Sequence, residues 1–141
     1  MRASLSAPLR IATSATSWKC SRTYPAQADQ VGEARAFLVQ ALGDCPLADD
    51  AVLICSELAS NAILHSGSSK PGGRFTVRAE AHEGDYLWIE VEDEGGPWGE
   101  QAVTEECGRG LQIVSTLATS WGVEGDMLAR VVWARLDWPA A

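Results

Sequence analysis

The chain runs to 141 residues, a common size for one domain and enough to bury a core without disulfides or structural metal. Apolar residues make up 46% and charged residues 21%, a globular balance that argues against a disordered or membrane-embedded chain. The formal net charge of -8 repels polyanions, which argues against direct nucleic-acid binding, yet backbone N–H groups and a metal ion can still hold one nucleotide locally.

Residues 1–20 read as a weakly ordered N-terminal segment, and the folded domain is expected over 21–141. Arg2 and Arg10 flank a stretch broken by Pro8, without the apolar core of a signal peptide. No apolar run reaches the ~20 residues that span a bilayer, so no membrane contact and a cytoplasmic location are expected. Cys20, Cys45, Cys55 and Cys107 are scattered, with no Cys-x-x-Cys pair, and read as free thiols in a reducing compartment.

Over 25–42, Val31, Ala34, Phe37, Leu38, Ala41 and Leu42 recur at three- and four-residue steps. That spacing predicts an amphipathic helix with Pro25 in its first turn and Gly43 as its stop. Asp49 reads as the N-cap of a second helix reaching about His65, followed by a Ser, Gly and Pro loop over 66–73. Phe75, Val77, Ala79 and Ala81 then alternate with polar residues, as do Leu87, Ile89 and Val91, which predicts two half-buried strands joined by a hairpin at Glu83-Gly84-Asp85. Glycines and a proline break the pattern over 93–99. Helical spacing returns over 110–118 through Leu111, Ile113, Val114 and Leu117, and strands are predicted at 120–124 and 130–138. Segregated helices and hairpins imply an α+β fold: a two-layer sandwich with a mixed, mostly antiparallel sheet covered on one face by helices.

Three clusters carry chemistry. Glu57, Asn61 and His65 stand four residues apart on the second predicted helix and share one side of it, beside the apolar stripe of Ala51, Ile54, Cys55, Leu58 and Ala62. There an Asn oxygen can ligate Mg²⁺ and a carboxylate can orient or deprotonate a nucleophile; both can equally be solvated helix residues. At Val91-Glu92-Asp93-Glu94-Gly95-Gly96-Pro97 a strand runs into a Gly-rich turn. Asp93 can accept from the amino group of a flat heterocycle while Gly95 admits the ring, although many such turns only redirect the chain. Gly108-Arg109-Gly110-Leu111, before the third predicted helix, can expose N–H groups to a phosphate or serve as a plain flexible loop. Trp88, Trp98, Trp121, Trp133 and Trp138 read as sheet packing rather than a nucleic-acid platform.

In that order and separation, the stretch Glu57-Leu58-Ala59-Ser60-Asn61-Ala62-Ile63-Leu64-His65 resembles the N box of the ATPase superfamily shared by gyrase, heat-shock chaperones, histidine kinases and mismatch-repair proteins. Residues 91–97 and 108–111 resemble its first and second glycine boxes. The short chain and the wording of the N box look most like the anti-sigma factor serine/threonine-protein kinases. The resemblance implies the Bergerat ATP-binding fold, with ATP and Mg²⁺ as cofactors. It implies Glu57 as general base, Asn61 as Mg²⁺ ligand and Asp93 as acceptor of the adenine amino group. Gly95 would line the base pocket. Gly108, Arg109, Gly110 and Leu111 would form the hinge and phosphate cradle behind an ATP lid over about 96–107.

The implied function is a regulatory serine protein kinase that binds a sigma factor and phosphorylates an anti-sigma antagonist. An ATP-gated protein-binding regulator with little transfer, and a ligand-free acidic interaction module, remain the alternatives. A homodimer is compatible with either. Two departures bear on this. Glu106 and Cys107 stand where family kinases often carry a basic residue, and Ala129 and Val131 stand where a Gly and a Thr commonly serve the adenine pocket.

Overall fold

The computed structural model describes residues 9–65, 72–95, 105–126 and 128–140. The chain order is β1 (Ile11–Ala12), β2 (Ser17–Pro25), α1 (Gln30–Leu42), α2 (Ala48–His65), β3 (Arg74–His82), β4 (Tyr86–Asp93), α3 (Glu105–Leu117), β5 (Ser120–Gly125) and β6 (Arg130–Asp137). The strands form one six-stranded sheet in the order β1-β2-β3-β4-β6-β5, and every neighbouring pair is antiparallel. The α+β sandwich expected from the sequence is therefore present, with no parallel pair among the described strands.

Alternation builds the sheet and decides which side is covered. Phe75, Val77, Ala79 and Ala81 on β3, Leu87, Ile89 and Val91 on β4, and Val132, Ala134 and Leu136 on β6 are buried beneath the helices. Phe37, Leu38, Ala41 and Leu42 of α1 and Ile54, Cys55, Leu58 and Ala62 of α2 complete the same core. The opposite face stays polar and aromatic. Arg78 there bridges Glu90 and Glu92 at 2.9 and 2.7 Å, and the rings of Trp88 and Trp133 stack with centroids 4.6 Å apart. Trp98 lies outside the described residues.

Four elements differ from the sequence reading, α2 among them: it starts at Ala48, so Asp49, expected as its N-cap, lies inside the first turn. Strand β2 begins at Ser17, inside the stretch expected to be weakly ordered, and Trp18, Cys20 and Tyr24 are buried. Its alternation is masked in the sequence by Arg22, which falls on the core-facing parity and lays its guanidinium over the Phe37 ring at 4.7 Å. Pro25 ends this strand, so α1 starts only at Gln30. Helix α3 starts at Glu105 rather than at Gly110. The hairpin at Glu83-Gly84-Asp85 is as expected: Gly84 takes φ 86, and the Asp85 N–H donates to the His82 carbonyl at 2.8 Å.

Candidate functional site

Helix α2 presents its buried stripe to the sheet, packing on β3, β4 and β6. Asn61 lies on that inward side at 6% exposure, while Glu57, one turn earlier, is half-buried at its edge. The amide nitrogen of Asn61 is buried and has no hydrogen-bond partner among the described residues. Such an atom is expensive, roughly 1 to 3 kcal/mol, because it has lost water without gaining a replacement. Such a donor on the inward side of α2 is available to a partner from outside the chain. The His65 side chain lies outside the described ones.

At the end of β4, Asp93 is turned into the same layer, 5% exposed. Its Oδ1 accepts the Gly95 N–H at 2.7 Å, a tight turn that Gly95 closes at φ 70, where a side chain would be strained. Its Oδ2 accepts from the Arg130 guanidinium at 2.9 Å. Burial pushes the Asp93 carboxyl above the usual range for aspartate, and the Gly95 N–H and Arg130 pull against that rise without cancelling it.

Arg130 adjoins the candidate site through Asp93, and motif matching misses it. It pairs directly with Asp93 across β4 and β6, whereas Val131 pairs with Glu92 on the other parity. The residue facing Asp93 from the last strand is therefore Arg130, and Val131, expected there from the sequence, is turned away. A signal was present: Arg130, Val132, Ala134 and Leu136 share one face of β6, and a charge on an otherwise apolar parity calls for a partner.

The third cluster sits differently from its expected place. Gly108, Arg109, Gly110 and Leu111 fall within α3, not ahead of it. Only the first four N–H groups of a helix lack internal partners, so those free to meet a phosphate belong to 105–108, and those from Arg109 onward enter the helical ladder. Leu111 is half-buried, while the side chains of 105–110, Glu106, Cys107 and Arg109 among them, lie outside the described ones. So do residues 96–104, which hold most of the expected lid.

Among the described residues, the core thiols Cys20 and Cys55 offer no competing chemistry. Burial raises Cys20 to about 11 and Cys55 to about 12, so both are neutral, unreactive core groups. Among the described residues no group of three or more His, Cys, Asp or Glu could cage a metal, and no helix is long and apolar enough to cross a membrane.

A family model described as histidine kinase-like ATPase domain matches residues 24–135. Among solved structures, the RsbU and RsbW domains of Rv1364c from Mycobacterium tuberculosis superpose with a TM-score of 0.61 at 19% identity, over 86% of this chain and 33% of that one. The histidine kinase domain of the blue-light activated histidine kinase EL346 from Erythrobacter litoralis superposes with a TM-score of 0.54, also at 19% identity, over 81% of this chain and 61% of that one. The chain thus spans about a third of the first structure and three fifths of the second. No curated protein matches it in sequence.

Proposed function

The chain belongs to the histidine kinase-like ATPase domain family, and on that premise we propose that it is a Mg²⁺-ATP-binding regulator acting as a serine protein kinase. Its substrate in this reading is an anti-sigma antagonist, and it also binds a sigma factor. The observation that supports the nucleotide reading is the Asn61 side chain, buried on the inward side of α2 with an amide nitrogen that has no partner among the described residues. Bound Mg²⁺-ATP would supply the transferable phosphoryl group and the charge that steadies it. Asn61 would hold the metal through its side-chain oxygen, since Mg²⁺ takes few protein ligands and needs no acidic cage. Asp93 would accept from the adenine amino group, and Gly95 would let the ring approach. The first turn of α3, as far as Gly108, would face the phosphates, with Arg109, Gly110 and Leu111 following it inside the helix. Glu57, half in water, would take the proton of the attacking serine hydroxyl.

A second reading, an ATP-gated binder with little transfer, is favoured by one feature: Glu106 and Cys107 occupy the first turn of α3, where a basic residue would steady the γ-phosphate. Glu57→Gln separates the two. It keeps shape and hydrogen bonding but removes the proton acceptor, so transfer should fall by ~10² to 10⁴ while ATP affinity barely moves. A paired assay of phosphate transfer and ATP-dependent partner capture is the measurement. Transfer lost with capture retained supports the kinase; no transfer from wild type across several candidate antagonists supports the gated binder.

A further inference from the structure

Of the described residues, the buried polar or charged ones are Asn61, Asp93 and Arg130, and they come from α2, β4 and β6, elements that pack on one another. The Asp93 and Arg130 side chains are 3% and 6% exposed, so their ion pair is held away from water. A buried pair of this kind is a poor stabilising device, because desolvation offsets most of the attraction, and an apolar pair of similar volume often serves the fold as well. What the pair does supply is a charged carboxylate inside the core. Alone in that layer Asp93 would protonate, and a protonated acid presents an O–H donor on one of its two oxygens. Arginine does not deprotonate in proteins, so it sustains its partner's charge at any working pH. A carboxylate has about four acceptor positions, and the Gly95 N–H and Arg130 use one on each oxygen, which leaves room for an amino group.

We infer that Arg130 is the positioning residue of the base site: it holds the Asp93 carboxylate as a charged, oriented acceptor for an amino-bearing purine. This inference rests on the nucleotide-binding reading. Among the described residues, one further charge acts on Asp93. Glu92, beside it on β4, disfavours its charge, and from α2 the inward polar residue is Asn61, which does not titrate, with Glu57 at the half-buried edge.

The test compares Mg²⁺-ATP affinity by calorimetry, from about pH 6 to pH 9, in wild type, Arg130→Gln, Arg130→Met and Arg130→Lys. The ratio of variant to wild-type Kd removes the ligand's own titration. With the positive charge gone, the Asp93 carboxyl titrates at higher pH, and binding needs its ionised form. The Gln and Met ratios should therefore grow by about tenfold per pH unit below the new midpoint. Arg130→Lys should keep a flat ratio. A pH-flat ratio in the neutral variants, acid sensitivity in Arg130→Lys equal to theirs, or tighter binding than wild type in any neutral variant overturns the inference. The ¹³C shift of the Asp93 carboxyl in the ligand-free protein reads the same ionisation without nucleotide: its midpoint should move up in Arg130→Gln, and an unmoved midpoint refutes the inference. Absence of ATP binding by wild type at every pH defeats the functional reading instead, and the carboxyl titration still decides the role of Arg130.

Discussion

Replacing Asp93 with Asn alters two properties at once. It takes the counter-charge from a buried Arg130, and it replaces a carboxylate oxygen with an amide that can present its N–H to the base. Breaking one side of a buried pair leaves the other charge uncompensated, so Asp93→Asn should lose about 3 kcal/mol of stability. Urea unfolding measures this directly, and a loss below a few tenths would mean that Arg130 finds other compensation. Under conditions where the variant is folded, nucleotide binding should weaken by about 1.5 to 3 kcal/mol, the scale for hydrogen bonds to charged groups. Unchanged affinity would remove Asp93 from the site. At this scale the sequence showed where three residues sit on their elements: Glu57 at the half-buried edge of α2, Asn61 on its inward side and Asp93 at the end of β4. Arg130 was not legible, because the reading sought a missing hydroxyl at Val131 rather than a new charge one position earlier.

Between elements, legibility followed the hydrophobic period. Strands β3, β4 and β6 alternate cleanly and were readable, whereas β2 was hidden because Arg22 interrupts its apolar parity and is recovered only by the Phe37 ring across the core. The start of α3 was hidden because Gly108 and Gly110 look like a loop. Strand β5 shows a packing constraint of its own. Gly122 lies opposite Trp133, and a Cβ there would come within 2.8 Å of the indole ring. That ring is held in its stack on Trp88, so it cannot give way freely. Gly122→Ala should therefore destabilise by about 1 to 2 kcal/mol, the scale for overpacking and for a lost aromatic pair. In a Trp133→Leu background the clash is absent and the usual strand preference for Ala over Gly returns, a gain of roughly 0.5 kcal/mol. Equal effects of Gly122→Ala in both backgrounds, read from denaturant midpoints, would show that the indole does not set the constraint.

For the molecule as a whole, the sheet order was beyond the sequence. Placing β6 between β4 and β5 depends on contacts between residues far apart in the chain, and alternation does not encode which strand lies beside which. That order is what sets Arg130 against Asp93, beneath the helix that carries Asn61. A ligand that completes this layer binds the folded chain and not the unfolded one, so it stabilises by mass action. At a Mg²⁺-ATP concentration of about 100 Kd the gain is about 2.7 kcal/mol, which for a chain of this length corresponds to a rise in Tm of roughly 10 °C. Mg²⁺ alone should shift Tm little, since no cage of acidic residues awaits it among the described residues. Asn61→Ala then separates the metal from the nucleotide. Without ligand the variant should be about as stable as wild type, because lost packing is offset by removal of a buried amide nitrogen that has no partner among the described residues. With ATP, adding Mg²⁺ should no longer raise its Tm beyond the value in EDTA. If the variant is instead clearly destabilised without ligand and keeps the full Mg²⁺ dependence with it, Asn61 is a structural residue and the metal is held elsewhere.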